Sequence, residues 1–347
     1  MGQRSIAAII IVVALVIAGC APAAAPAAPA ASAASAASSA NAESLGTVRY
    51  NQIQSQPWYW DVFIAEELGL WTKLGLTVER STLDVNGADA AKALIAGQFD
   101  LQSNAFDVYI QTAAVSNDTL MLAFEMTKPE HGLFAQKGIT TIEQLRGKKI
   151  GIGPLASGTT LILRTMLRRN GLQDADYQGV QAGPGAAQYA ALQSGAIDAT
   201  LLVFPQKFEA QKSGTLTFLG DAAPFWDNPF LTVGGRRQWI ESHPKQTVAF
   251  LRGLLQARAW LYAPENRARA IEIVGKYLKI QPDAAENTYK EFVTNERIAR
   301  EGKITDEAVK KMGQAMTGLG AIKEADLKTQ GIFDSKYLDD ALKLEKR

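Results

Sequence analysis

Short apolar runs alternate with stretches of helical spacing from Thr47 onward, a pattern that predicts α/β layers. GTVRYNQI (46–53) reads as a strand. DVFIAEELGLWTKLG (61–75) reads as one helix, with Val62, Ile64, Ala65 and Leu68 at helical spacing and Gly69 near its end. LTVERSTLD (76–84) is the next strand and NGADAAKALIAGQFD (86–100) the next helix, and the order repeats around DLQSNAF and TLMLAFEMT. A second block follows His131. GLFAQ and KKIGIG read as strands with ITTIEQLRG as a short helix between them, and SGTTLILRTMLRRNGL (157–172) is a helix with hydroxyls at its start and glycine near its end. GVQAG, AAQYAALQSGAID, ATLLVF and TLTFLGD continue the alternation, and from about Pro229 the pattern is mostly helical. AKALIAGQFDLQ (91–102) and YAALQSGAIDAT (189–200) share a helix ending in Leu-x-x-Gly-x-x-Asp before a strand, which points to two related lobes.

The amino terminus reads differently. MGQRSIAAIIIVVALVIAGC carries one base, Arg4, then an apolar run from Ile6 to Ile17, the layout of a secretory signal with an apolar core too short for a membrane span. Ile17-Ala18-Gly19-Cys20 resembles a bacterial lipobox, so residues 1–19 are expected to be removed and Cys20, the only cysteine, to carry the lipid. With two or more acyl chains, palmitate among them, such an anchor is stable. Residues 20–45, rich in Ala, Pro and Ser, lack the apolar surface to offset chain entropy and are predicted to be a disordered tether.

Charge and chemistry narrow the function. Without residues 1–19, 35 basic residues face 35 acidic ones, a balance that argues against nucleic acid as a partner. A single cysteine excludes an intramolecular disulfide, so stability must come from a packed core. GIGPLA (151–156) fits G-x-G-x-x-A, but Asp174 and Asp176 precede the following strand, where a dinucleotide site would want an acid at its end. His131 and His243 have no metal-ligand spacing to another candidate, and there is no G-x-S-x-G elbow, Walker loop or H-E-x-x-H. No catalytic constellation, metal site or cofactor is expected. Ser157, Thr159 and Thr160 open a helix where free N–H groups and hydroxyls converge, which suits a polar or anionic ligand group as well as plain capping. Aromatic residues recur at strand-to-helix junctions: Trp58, Tyr59 and Trp60 in SQPWYWDVF, then Phe106, Phe204 and Phe225-Trp226. Ligands of open α/β sheets bind beyond the carboxyl ends of strands, so these rings point to a shared cleft. Trp71, Trp239 and Trp260 sit in or beside helical patterns and read as packing.

FIAEELGLWTKLGLTVE (63–79), ALIAGQFDL (93–101), GKKIGIGPLASGTT (147–160), GAAQYAALQSGAIDATLLVFPQ (185–206) and ESHPKQTVAFLRGLLQARAWL (241–261) carry a resemblance over nearly all of residues 47–262. In their order and spacing the chain resembles the substrate-binding proteins of ABC importers, in the group serving nitrate, taurine, aliphatic sulfonates and vitamin precursors. The resemblance implies a type II periplasmic-binding-protein fold with mixed sheets, helices on both faces and a ligand cleft between two lobes. Lobe I would comprise residues 46–130 plus 231–347, and lobe II residues 131–230. It also implies a monomer on the extracytoplasmic face of the cell membrane, delivering a small molecule to a permease with its ATPase. Family contacts fall after strands, here at Gln56, Trp58, Tyr59, Trp60, Asn86, Gly87, Asn104, Phe106, Ser157, Thr159, Thr160, Phe204 and Gln206. These loops offer rings, amides and hydroxyls but no Arg or Lys, which suits a planar, largely neutral heterocycle. Riboflavin is the specific expectation; a sulfonate, taurine, nitrate or a thiamine pyrimidine precursor is the alternative. An enzyme of pyrimidine synthesis is disfavoured, because the chain lacks the cysteine-rich segment of such enzymes.

Overall fold

The computed structural model describes residues 43–155, 157–183 and 185–346. The signal segment, Cys20 and all but the last three residues of the tether therefore lie outside the described residues.

Among the described residues, ten strands form two five-stranded mixed sheets built on one plan. The first contains β1 (Gly46–Ile53), β2 (Leu76–Leu83), β3 (Leu101–Ala105), β4 (Thr119–Met126) and β10 (Leu231–Arg236), in the order β2-β1-β3-β10-β4. The second contains β5 (Gly132–Ala135), β6 (Lys149–Ile152), β7 (Gln178–Gln181), β8 (Ala199–Leu202) and β9 (Thr217–Asp221), in the order β7-β6-β8-β5-β9. In each, two parallel ladders join the first three strands, and the fourth runs antiparallel to both neighbours. The chain passes between sheets twice, through residues 127–131 and 222–230.

The Leu-x-x-Gly-x-x-Asp echo does the same work in both sheets. Gly97 and Gly195 both take positive φ, +81° and +75°, to turn the chain from helix toward strand. The Asp100 carboxylate then accepts the backbone N–H of Arg49 at 3.0 Å, and that of Asp198 accepts the N–H of Lys149 at 2.8 Å. Each aspartate so ties the residue before its own strand, β3 or β8, to the neighbouring parallel strand, β1 or β6.

Helices cover the sheets: α1 (Trp60–Glu67), α2 (Leu70–Lys73), α3 (Gly87–Ile95), α4 (Phe106–Val115), α5 (Gly158–Arg169), α6 (Gly185–Gln193), α7 (Gln206–Ser213), α8 (Arg237–Ser242), α9 (Pro244–Tyr262), α10 (Arg267–Leu278), α11 (Pro282–Tyr289), α12 (Asp306–Gly318) and α13 (Lys336–Glu345). A large apolar core joins the first sheet to α1, α9, α10 and α13. A second core runs continuously from Phe106, Ile110 and Phe124 of the first sheet's side to Leu161, Ile162 and Leu201 of the second. The two sheets therefore share buried apolar surface.

Three local expectations are corrected. Residues 61–75 form two helices, because Gly69 adopts φ +61° and interrupts the hydrogen-bond ladder. ITTIEQLRG supplies only a single 3₁₀ turn at Glu143–Leu145. The segment after Pro229 begins with a strand, β10, which sits between β3 and β4. Its Gly234 and Gly235 conceal it from pattern reading, yet both are required. A Cβ on Gly234 would come within 2.5 Å of the Leu120 carbonyl oxygen, and one on Gly235 would collide with that of Asp100.

Candidate functional site

The parallel strands β1, β3, β6 and β8 present their carboxyl ends to the region where the two sheets meet, the position at which such sheets bind ligands. Each side contributes a loop rich in polar atoms or rings. Most of what sequence reading placed there is spent on the fold itself.

Of the three adjacent rings, two belong to the core. Pro57 opens a 3₁₀ turn that leads straight into α1, so rings 58, 59 and 60 are turned to different sides. Tyr59 is buried, and its hydroxyl brackets Ile53, accepting from the N–H at 3.2 Å and donating to the carbonyl at 3.3 Å. Trp60 is fully buried, donates its indole N–H to the Ala270 carbonyl at 3.1 Å and meets Tyr289 edge-on at 6.0 Å. Both corrections have one cause: α1 is packed between α9 and α10, so every residue from Trp60 to Ala65 is buried. Phe106 likewise lies fully inside, edge-on to Phe124. Trp58 alone is partly exposed, and its indole N–H makes no hydrogen bond of good geometry, with only the Tyr59 hydroxyl close enough to interact.

The polar candidates divide in the same way. Asn86 caps α3, accepting from the Asp89 N–H at 3.0 Å, and is exposed. Asn104 is buried; it donates to the Gly87 carbonyl at 2.9 Å and to Gln102 Oε1 at 3.1 Å, fixing β3 against the start of α3. Gln56 is buried and leaves its Oε1 without a partner. Ser157 caps α5, and Thr160 accepts the Gly153 N–H at 3.1 Å while contacting Ser157 Oγ at 3.1 Å, so these two hydroxyls hold the β6–α5 turn. Thr159 Oγ1 pairs with His131 Nε2 at 3.1 Å. Phe204 is buried edge-on to Phe208 and donates its N–H to Glu130, while the half-buried Gln206 faces the start of α6 near Gly185.

Residues at the junction of the sheets complete the arrangement; sequence reading set His131 aside as a metal ligand and passed over the others. Phe230 meets Trp58 edge-on at 6.1 Å and His131 edge-on at 5.1 Å, so a line of rings runs from the first sheet's loop through His131 to Thr159. Burial, with Lys207 and Arg297 nearby, pushes the His131 imidazole down to about 3, so it is neutral; its Nδ1 has no partner. Asp107, in the first turn of α4, lies with its carboxylate against the first residue of α5. A Cβ on Gly158 would stand 2.6 Å from Asp107 Oδ1. Burial pushes the Asp107 carboxyl up to about 7, while its own N–H and that of Gly158 favour the charged form. Glu130 is also raised by burial to about 7, against the pull of Lys207. Lys207, fully buried, donates to the Glu130 carbonyl and to Asp221 at 2.8 Å each, and to Glu291 at 3.0 Å. This ties α7 to the segment after α11. His131 and Phe230 stand at the two lobe boundaries drawn from sequence, and that position was the available signal. Asp107 offered none beyond an acid in a helix's first turn, a common charge–dipole placement.

Surface depressions lie elsewhere. One of about 520 Å³ opens between Leu45, Leu74, Val248 and Leu344, at the amino end of β1. Among the described residues no group of three or more potential ligands could hold a metal ion, and no helix is long and apolar enough to cross a membrane.

Two sheets of the same pairing pattern, joined by two crossings, define the two-lobed periplasmic-binding-protein fold. The chain belongs to the NMT1-like family, which matches residues 58–275. A curated binding protein of Brucella abortus (strain 2308) is 25% identical over 254 residues, covering 70% of this chain and 76% of that protein. Among solved structures, a periplasmic sulfonate-binding protein SsuA of Methylobacillus flagellatus KT superposes with a TM-score of 0.72 at 18% identity, over 88% of this chain and 96% of its own. The alkanesulfonate-binding protein SsuA of Xanthomonas axonopodis pv. citri, bound to MOPS, gives 0.69 at 16% identity over 83% and 98%.

Proposed function

We propose that the chain is the solute-binding component of an ABC importer, anchored through a lipid on Cys20 to the outer face of the cell membrane. It acts there as a monomer that captures a small molecule between residues 46–130 plus 231–347 and residues 131–230, and delivers it to the permease and its ATPase. It is a carrier, not a catalyst. The family, the binding-protein relatives and the lipobox-like amino terminus support the class. The ligand we propose is a planar, largely uncharged aromatic nutrient, with riboflavin the first to test.

The observation that carries this ligand class is the chemistry at the junction. Trp58 offers a partly exposed ring, Gln56 a buried amide oxygen without a partner, and His131 an unpaired ring nitrogen; of the charged side chains there, Lys207 is bound to Glu130, Asp221 and Glu291, and Asp107 forms no ion pair among the described residues. Flat heterocycles with N–H and carbonyl edges match such a set. The neighbours that bind sulfonates favour the second reading, a small oxyanion at the start of α5. Titration of the purified protein with riboflavin, an aminopyrimidine and ethanesulfonate, following tryptophan fluorescence and heat, separates the readings. Strong quenching by riboflavin supports the first. Micromolar binding of ethanesulfonate with no response to either ring sinks it.

A further inference from the structure

Asp107 is 2% exposed, and among the described residues no ion pair includes it. Its nearest side-chain donor is Gln111 Nε2, at 3.4 Å from Oδ2. Instead of a cation it has α5 beside it, a twelve-residue helix whose first N–H groups and dipole provide partial positive charge. Gly158 has to be glycine for this contact, because any Cβ would meet the carboxylate. A second buried group meets the first turn of the same helix. His131, 1% exposed, holds Thr159 in the first turn of α5 through Nε2 and leaves Nδ1 unpartnered. An oxyanion placed at α5 would lie against a buried carboxyl that no basic side chain among the described residues pairs, and its approach would oppose ionisation of that group. Two like charges a few ångströms apart in a partly desolvated site repel strongly.

Resting on the reading of the chain as a solute-binding protein, we propose that Asp107 sets its ligand class. The carboxylate occupies the place at the start of α5 where an oxyanion would sit, so the cleft takes an uncharged or cationic ligand that turns an N–H donor toward Asp107. In this role Asp107 touches ligand directly. The positive end of α5 no longer selects the ligand's charge; it holds the carboxylate that does.

Calorimetry on the purified protein tests this with four probes: riboflavin, 4-amino-5-hydroxymethyl-2-methylpyrimidine, ethanesulfonate and nitrate. Each is titrated into the wild type, Asp107→Ala and Asp107→Asn. The expected result is that Asp107→Ala weakens the bound ring compound by about tenfold or more and tightens ethanesulfonate by about as much. Asp107→Asn keeps the shape while removing the charge, and should move both affinities the same way by about threefold or more. Should the alanine variant fail to fold, the asparagine variant alone decides between the outcomes. Micromolar binding of ethanesulfonate or nitrate by the wild type overturns the proposal. An unchanged ratio of ring to anion affinity in the variants overturns it too, as does absence of binding by every form. A ring compound that binds wild type and variants equally leaves the carrier of flat ligands standing and removes Asp107. Anion binding gained by the variants, with no ring compound bound by the wild type, does the reverse.

Discussion

The loop after β1 and the turn after β6 occupy matching places in two sheets of the same design, yet they solve opposite problems. The first, Gln56 to Trp60, begins with too much apolar surface and hides it. Tyr59 and Trp60 go into the core, each with its polar atom satisfied, and only Trp58 is left partly exposed. The second, Gly153 to Thr160, begins with too many hydrogen-bonding groups and spends them. Ser157 and Thr160 hold the turn, Thr159 takes His131, and Gly158 receives a carboxylate from the other sheet's side. A motif that looks like a binding site in sequence is thus a surplus of one kind of surface, and the fold consumes most of it. The groups the fold does not consume are the partly exposed Trp58 ring, the unpartnered Nδ1 of His131 and the Asp107 carboxylate, which has no ion pair among the described residues.

The sharpest way to break this comparison is in the aromatic loop. Trp60→Ala should cost about 3–5 kcal/mol, as expected for a fully buried ring, and denaturant unfolding measures it. A loss under about 1 kcal/mol would return Trp60 to the list of surface rings.

The next effect is set by pH. The Asp107 carboxyl is raised by burial from its ordinary value to about 7 in the folded protein, so its favourable share of stability is fully present below about pH 4 and is lost as pH rises through about 7. Asp107→Asn removes that loss. The variant should therefore gain stability over the wild type between pH 4 and 8, on the order of a few kcal/mol at the upper end. The buried neutral His131 works with the opposite sign, its contribution falling as pH drops from about 6.5 toward its folded value of about 3. It is common to both proteins, so the difference between their melting curves isolates Asp107. A difference that stays flat with pH would mean that Asp107 titrates normally.

Smaller effects separate capping from contact. Trp58→Ala removes a partly buried ring that packs edge-on against Tyr59 and Phe230, and should cost about 1–2 kcal/mol, less than Trp60→Ala. It should also abolish most of the fluorescence response to a flat ligand, and an unchanged response with unchanged affinity would leave the cleft without its platform. Ser157→Ala should cost about 1 kcal/mol, because it removes the cap of α5, and thermal melting reads it.

The alternation of strands and helices was legible because amphipathic periodicity is a local property, and so was the duplication, because Asp100 and Asp198 tie equivalent strands. β10 was not legible, since the close approach that demands Gly234 and Gly235 comes from β3 and β4, over a hundred residues earlier. The candidate site was legible by address and not by role. Sequence places Trp58 to Trp60 and Ser157 to Thr160 after strands, but which rings the core takes depends on α9 and α10. The pairing of Asp107 with Gly158 joins residues about fifty positions apart, and no periodicity reports it.

The place of β10 also sets an order of assembly. When residues 46–126 have been synthesised, β3 and β4 both exist but have no strand between them, and each has an open edge. The strand that joins them arrives only after the whole second sheet has been made, so the second sheet can close first although it comes later in the chain. A nascent chain halted before Leu231 would hold one finished sheet and one split in two. That intermediate is the form most exposed to wrong strand pairing, and the one a chaperone would have most reason to hold.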